Sequence, residues 1–339
     1  MDILIGKSLH QIQEIVKSLD LPSFTAKQIT DWLYNKQVSS IAEMSNISAK
    51  NRNLLADHFT LGNTDFSKVS ISADGTKKYL YPAGNMRFIE SAYIPDSNRS
   101  TLCVSSQVGC KMGCVFCATA KQGFQGQLTT GEIINQIRSL PERDKLTNIV
   151  YMGMGEPLDN LQEVMQSLEI LTSDWGFGWS PRRITVSTIG LIPAMKHFIE
   201  KSDCHLAVSL HSPFEKERAE LMPIQSRYSL SEVLDTIRSY DFGRQRRISF
   251  EYIVFKGLND SQNHVNELSR ILNGIRCRIN LIRFHSIPGV KLQSPDEISL
   301  ENFRQALVKK GMITTIRASR GEDILAACGL LSTTELRRV

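Results

Sequence analysis

From residue 148 onward the chain alternates between short apolar runs and segments of helical periodicity, and this alternation constrains the fold more than any other feature. Strand-like runs fall at Asn148 to Met152, Arg183 to Ser187, His205 to Leu210, Ile248 to Phe255, Arg278 to Ile282 and Met312 to Ile316. Helical patterns lie between them, near Asn160 to Leu171, Pro193 to Ile199, Leu230 to Tyr240, Gln262 to Leu272 and Leu300 to Lys309. Another helix, Thr130 to Ile137, opens on the capping box Thr129-x-x-Glu132. Strands joined by helices of this length pair in parallel beneath them, so the pattern predicts an α/β fold whose sheet is open or closed into a barrel. Chemistry in such folds gathers at the carboxyl ends of the strands.

The first sixty residues read differently. Leu9, Ile12, Ile15, Val16 and Leu19 repeat at helical spacing, as do Ile29, Trp32 and Leu33, and Ser48 caps a third segment through Leu54, Leu55 and Phe59. From Phe66 to about Pro95, turn signals at Ala73-Asp74-Gly75 and Pro82-Ala83-Gly84-Asn85 separate short alternating stretches, which read as hairpins. The expected organisation is a helical unit over 1–62, a β-hairpin linker over 63–95, a core over 96–317 and a C-terminal segment over 318–339. No apolar run approaches the roughly 18 residues a spanning helix needs, and the first residues lack a signal-peptide core, so a cytoplasmic protein is expected.

Four of the seven cysteines, Cys103, Cys110, Cys114 and Cys117, fall close together, whereas Cys204, Cys277 and Cys328 stand apart. In a reducing compartment such a group points to metal or redox chemistry rather than to disulfides. Cys110-Lys-Met-Gly-Cys114-Val-Phe-Cys117 places three thiols on one loop. A structural zinc or an ordinary iron–sulfur cluster takes four protein ligands, so three leave one metal position open. In a four-iron cluster that open iron can chelate the amino and carboxylate groups of S-adenosylmethionine, and an electron passed to the sulfonium yields a 5′-deoxyadenosyl radical. The alternative is a zinc site with Cys103 as fourth ligand, in a protein that binds RNA without catalysis.

Eight stretches in order carry a resemblance that covers nearly the whole chain. They are Thr101 to Cys110, the triple-cysteine loop, Lys121-Gln-Gly-Phe124, Met152-Gly-Met-Gly-Glu-Pro-Leu158, Ser187-Thr-Ile-Gly190 with Ser209-Leu-His211, Leu221-Met-Pro-Ile224, Arg278 to Ile282, and Ile324-Leu-Ala-Ala-Cys-Gly329. In these the chain resembles the radical-SAM adenine methyltransferases of the RlmN and Cfr family. The resemblance implies a partial parallel (β/α)6 radical-SAM barrel with an N-terminal helical accessory domain and a short β segment. It implies a [4Fe-4S] cluster on Cys110, Cys114 and Cys117, and S-adenosylmethionine contacts at Gly155, Glu156, Ser187, Ser209, Leu210, His211 and His285. At the last position the commonest form has an aromatic residue followed by Asn, where this chain has Phe284-His285. The stretch after Lys121 likewise carries Gly-Gln where Arg-Asn is usual.

Carbon 2 of adenine lies between two ring nitrogens and is too electron-poor to attack a sulfonium methyl. The mechanism that the resemblance implies uses two S-adenosylmethionine molecules per turnover. Cys328 takes a methyl group from the first as an S-methylcysteine intermediate. The radical made from the second removes a hydrogen from that methyl, and the resulting carbon radical adds to the adenine. Glu90 matches the position of the proton acceptor, and Cys103 releases the product by forming a transient disulfide with Cys328. Read without the family, Cys328 is a core cysteine on an apolar helix and Glu90 a surface strand carboxylate. Cys204 and Cys277 read as packing residues, and His205 and His264 as surface or satisfied histidines.

RlmN-type enzymes methylate carbon 2 of adenine 2503 in 23S rRNA and of adenine 37 in certain tRNAs, whereas Cfr-type enzymes methylate carbon 8. Gly155-Glu156-Pro157-Leu158 fits the RlmN form, since Cfr-type chains tend to carry Ala where Pro157 stands. The expected partners are 23S rRNA, tRNA and an electron donor, with no membrane, for a monomer. A net charge of +5 permits an RNA partner without naming it. Candidate phosphate contacts are Arg182, Arg183, Arg244, Arg246, Arg247, Lys309 and Lys310, with Lys27, Lys36, Lys50 and Arg52 on the N-terminal helices.

Overall fold

The computed structural model describes residues 1–84, 86–243 and 246–333. At the N-terminus, Ser8 and Gln11 form a capping box that starts α1 (Leu9–Ser18), which buries Ile12 and Val16. α2 (Thr25–Thr30) buries Ala26 and Ile29, and Ser48 caps α3 (Ala49–His58) through the Asn51 amide. A two-residue parallel pairing of Asp2–Ile3 with Phe59–Thr60 closes the unit. Tyr34 ties it to the rest of the chain. Its hydroxyl donates to the Lys7 carbonyl at 2.6 Å and accepts from the Gly6 amide at 3.2 Å, and its ring meets Trp175 and Phe177 at centroid distances of 6.0 and 5.9 Å. The helical unit and the core therefore share one continuous apolar interior.

Ten strands form a single sheet whose spatial order repeats the sequence order. β1 (Lys68–Ile71), β2 (Lys77–Ala83) and β3 (Arg87–Asp96) are antiparallel. β4 (Arg99–Cys103) pairs antiparallel with β3 and parallel with β5 (Asn148–Tyr151). β6 (Ile184–Thr188), β7 (His205–Ser209), β8 (Ile248–Val254), β9 (Cys277–Arg283) and β10 (Thr314–Ile316) continue in parallel. After the short α4 (Ala118–Gln122), the crossovers are α5 (Thr130–Arg138), α6 (Leu161–Thr172), α7 (Ile192–Lys201), α8 (Glu215–Leu221) with α9 (Leu230–Arg238), α10 (Gln262–Ile271) and α11 (Glu297–Lys309). These make six βα units followed by β10. Among the described residues the outer strands β1 and β10 do not pair, so the curved sheet is an open barrel. Every residue of β8 is buried, as a parallel strand covered on both faces requires.

The structure departs from the sequence reading in four places. The strand Arg99–Cys103 was not expected, because only Leu102, Cys103 and Val104 make an apolar signal there. Its presence puts the triple-cysteine loop inside the first βα unit rather than before it. The hairpins at Phe66 to Pro95 extend the same sheet instead of forming a separate linker, since β3 and β4 are hydrogen-bonded along Ala92 to Asp96. α11 starts at Glu297, three residues early, because Asp296 accepts from the Ser299 amide at 2.7 Å and caps it. Among the described residues no helix is long and apolar enough to cross a membrane.

Truncating Tyr34 to Ala removes a buried ring and both ties to the Gly6–Lys7 turn. It is expected to cost about 3 kcal/mol, seen as a lower Tm, with Trp175 fluorescence shifting red as its edge contact is lost.

Candidate active site

A cavity of about 380 Å³ runs from the thiol loop down the inside of the barrel. Cys110, Cys114 and Cys117 border it at one end. Burial pushes Cys110 up to about 12 and Cys114 well above the ordinary thiol value, reinforced by the neighbouring thiols. Thiols so placed stay protonated until a cation compensates their charge, and metal binding then releases the protons. Among the described residues no three His, Cys, Asp or Glu side chains form a group compact enough for one metal ion.

Glu156 sits beside this loop, after β5, and is buried. Its carboxylate accepts from the Ile189 amide at 3.0 Å and the Leu158 amide at 3.2 Å. Burial outweighs these bonds and one from Thr188, so the carboxyl is raised to about 7. Gly155 reaches its position at φ +101°, and a Cβ there would stand 2.5 Å from Gln107 Cβ. The Gln107 side chain in turn accepts from the Glu156 amide at 2.8 Å and donates to Asp159 at 2.7 Å.

Ser187 and Ser209, at the ends of β6 and β7, and His211 also line the cavity. His211 takes φ +57°, and its Nδ1 accepts from the Ile253 amide at 2.9 Å. Burial, helped by the Arg218 charge, lowers it to about 3, so the ring is neutral with its proton on Nε2. Asn259 fixes this bend by donating to the His211 carbonyl at 2.6 Å. Leu210 does not line the cavity; its side chain is fully buried in the main core, leaving only its backbone near the site. His285 does line it, with Nε2 2.9 Å from Ser319 Oγ and Nδ1 3.3 Å from Glu322 Oε1, so both ring nitrogens face the C-terminal segment.

Cys103 and Cys328 line the same cavity, and the Gly329 carbonyl accepts from the Ala118 amide, which places Cys328 beside the thiol loop. Cys103 ends β4 between Ala92 and Val150 in register, and burial, with Cys328 adding to it, pushes the thiol up to about 12. Cys328 is exposed and lies in a stretch of turns, not on the apolar helix of the bland reading. Arg317, just past β10, lies close enough to act electrostatically on both thiols. Its Nη1 is 4.0 Å from Cys328 Sγ, 3.2 Å from Met152 Sδ and 3.5 Å from Glu251 Oε2. Burial opposes its charge, yet Glu251 and the two thiols hold the guanidinium proton more firmly than usual.

Glu90 lies on the face of β3 that also carries Ala92 and Ile94, but it is not on the cavity wall. It is buried, 3.0 Å from Lys78 Nζ, and accepts from the Ser332 amide at 3.0 Å, next to the cavity-lining Leu331. The segment carrying Cys328 is tied back to the β1–β2 turn: the Gly321 amide donates to Asp74 at 2.9 Å and the Ala73 amide to Asp323 at 3.2 Å. The backbone before Cys328 is thus anchored through the Asp74 and Asp323 carboxylates.

The remaining expectations divide. Cys204 is fully buried and Cys277 half-buried. His205 accepts from the Arg247 amide, and His264 caps α10 and reaches Glu217. Arg246 is no phosphate contact, because its guanidinium donates to the carbonyls of Cys204 and Ile199 and lies over Phe198 and Phe242. Arg52 is likewise spent on the Met44 and Ile47 carbonyls, and Lys36 lies over Trp32. Arg182, Arg183, Arg247, Lys309, Lys310, Lys27 and Lys50 are exposed, and Arg244 lies outside the described residues. Arg317, Glu251, Gln107 and Asn259 were missed. Each is a polar residue within or just beyond an apolar run, which was the available signal.

The site's residues fit a radical-SAM pair of groups: three thiols on one loop, a buried carboxylate for an amino group, and hydroxyl and imidazole donors around one cavity. Residues 104–268 match the model of the Radical SAM superfamily, and residues 3–61 that of the ribosomal RNA large subunit methyltransferase N-terminal domain. A relative from Bacteroides thetaiotaomicron, described as a probable dual-specificity RNA methyltransferase RlmN, is 59% identical over 97% of this chain and 96% of its own. The chain belongs to the RlmN family. A Syntrophus aciditrophicus dual-specificity RNA methyltransferase RlmN is 42% identical over 96% of this chain and 94% of its own. The crystal structure of a radical SAM methyltransferase from Sphaerobacter thermophilus superposes with a TM-score of 0.91 at 36% identity, covering 98% of this chain and 99% of that one. Membership in the RlmN family makes the chain a radical-SAM enzyme of α/β barrel fold, which the family uses with an iron–sulfur cluster and S-adenosylmethionine.

The raised carboxyl of Glu156 gives a pH signature. Folding holds its proton between about pH 4.5 and 7, where the unfolded chain has lost it, so this group makes the ligand-free protein less stable as pH rises across that window. The N–H of a ligand amino group bound beside it is accepted best by the ionised form. S-adenosylmethionine affinity, measured by calorimetry, is expected to strengthen from pH 6 to 8, and Glu156→Gln should weaken binding at least tenfold and flatten that dependence.

Proposed function

We propose that the chain methylates carbon 2 of adenine in RNA, taking 23S rRNA and tRNA as substrates and two S-adenosylmethionine molecules per turnover. The observation that carries the reading is that Cys103, Cys328 and Arg317 line the same cavity as Cys110, Cys114 and Cys117, with Arg317 4.0 Å from Cys328 Sγ and the Gly329 carbonyl accepting from the Ala118 amide beside Cys117. A structural metal site needs no second pair of thiols. In this reading Cys110, Cys114 and Cys117 hold a [4Fe-4S] cluster with one iron left for the ligand. Glu156 accepts from the N–H of the ligand's amino group, and Ser187, Ser209, the Leu210 backbone and His211 orient the remainder. His285, held by Ser319 and Glu322, presents its ring as part of the wall.

When bound, the cluster and S-adenosylmethionine supply the methyl group and the one-electron chemistry that opens a methyl C–H bond. The chain's own residues do the rest. Cys328, exposed on its turn, is accessible as a nucleophile and carries the methyl group as a thioether. Arg317 orients Cys328 Sγ by a 4.0 Å N–H···S contact and keeps Glu251 beside it. Cys103, protonated in the resting site, becomes competent only after losing its proton. Once the adduct has lost its ring proton and its unpaired electron, the latter to the bound cluster, Cys103 attacks the Cys328 sulfur; the S–S bond forms as the S–C bond breaks, the pair of that bond passes to the methylene carbon, which takes up a proton, and methyladenine leaves. Glu90 receives the ring proton, its carboxylate meanwhile held by Lys78 and the Ser332 amide, so access requires the C-terminal segment to shift. The disulfide is reduced by an external thiol before the next turnover.

Anaerobic reconstitution with iron and sulfide, followed by mass spectrometry of the treated RNAs, tests the proposal. A methyl group at carbon 2 is the expected product; one at carbon 8 would replace the reading with the Cfr-type reaction. Cys328→Ala should abolish methyl incorporation with the cluster intact. Cys103→Ala should instead trap RNA on the protein, seen as a covalent adduct on a denaturing gel, because nothing remains to cleave the S–C bond. Loss of iron in Cys103→Ala would instead assign that thiol to the metal.

A further inference from the structure

Helix α8 carries a charge that the mechanism above leaves unused. Arg218 is fully buried, the largest side chain among the described residues to be so. Its guanidinium donates to the Gln225 side-chain carbonyl, to the Ile189 carbonyl at 3.0 Å and to the Ser209 carbonyl at 3.2 Å. All three acceptors are neutral. Its Nε is buried without a partner, and no ion pair among the described residues includes it. The carboxylate that acts on it, Glu215, is exposed on the same helix. A lone buried guanidinium costs several kcal/mol to desolvate, and a fold that keeps one is short of a compensating negative charge.

The position of Arg218 says where that charge belongs. The Val115 amide, one residue past Cys114, donates to the carbonyl of Leu221 at the end of α8. Cys114 itself packs with Ile189, Leu221 and Met222. Ser209, which Arg218 holds by its carbonyl, lines the cavity. The cation therefore lies behind the wall shared by the thiol loop and the ends of β6 and β7.

We propose that Arg218 is the resident counter-charge of the iron–sulfur site and sets the reduction potential of its cluster. The inference rests on the reading that Cys110, Cys114 and Cys117 hold a [4Fe-4S] cluster. Three thiolates give that assembly negative charge, and each added electron increases it, so a fixed cation nearby favours the reduced form. The neutral carbonyl acceptors hold the guanidinium in place without cancelling it. The same pairing couples loading to folding: without the cluster Arg218 is uncompensated, and with it the buried charge is matched.

Redox titration of the reconstituted holoenzyme, followed by electron paramagnetic resonance, tests this with Arg218→Met, Arg218→Gln and Arg218→Lys. The two neutral variants should titrate at more negative potential than the wild type, lose iron to a chelator several-fold faster, and show a smaller rise in Tm on cluster loading. Arg218→Lys, which keeps the charge but not the paired carbonyl contacts, should stay near the wild-type midpoint. A neutral variant with four irons per chain and an unchanged midpoint overturns the proposal, as does a folded Arg218→Lys protein shifted as far as the neutral ones. Should Arg218→Met not fold, Arg218→Gln retains a donor for the Ile189 and Ser209 carbonyls and carries the same test. A wild-type chain that takes up no iron–sulfur cluster overturns the reading of the thiol loop itself, an outcome told apart by its missing spectrum.

Discussion

The strand Arg99–Cys103 is hydrogen-bonded on both sides in opposite senses, and the rest of the site depends on that junction. Its antiparallel partner β3 brings Glu90 and the Ala92–Ile94 face to one edge, and its parallel partner β5 brings Met152 and the Gly155–Glu156 turn to the other. The register places Cys103 level with Ala92 and Val150. A slip of one residue would turn the Cys103 side chain to the opposite face of the sheet. Directly after this strand the chain enters the thiol loop, so one short element fixes both groups of cysteines relative to each other.

Around that junction the protein keeps ionisable groups buried or half-buried. Glu156 and Cys103 are shifted toward their neutral forms by burial, while Arg317 and Arg218 remain charged, one against Glu251 and the other against carbonyl dipoles. The site is thus poor in compensated charge before anything binds. A ligand that brings a compensating group to any of these positions is linked to folding, because binding and folding act on the same set of groups.

Much of the fold was legible because parallel strands covered on both faces are continuous apolar runs, and the runs from Asn148 to Ile316 correspond to the observed strands within one or two residues at most ends. Arg99–Cys103 escaped because it is an exposed-to-buried strand of mixed polarity, and the continuity of the hairpins with the barrel is a long-range pairing that no local pattern encodes. In the site, the thiol loop announced itself by spacing. Arg317, Glu251 and Arg218 did not, since a charge flanking a strand or on a short helix reads as solvated until the tertiary structure buries it. Leu210 shows the converse: its place in a motif reflects its backbone, while its side chain belongs to the core.

The anchoring of Gly321 and Asp323 to the turn between the first two strands of the sheet joins the end of the chain to a region some 250 residues earlier. Cys328 therefore reaches its position only after the thiol loop and all six βα units have been made. A chain cut short after β10 would keep the barrel and its thiol loop yet lack Cys328. The order of synthesis thus makes the thiol loop available before Cys328 can face it.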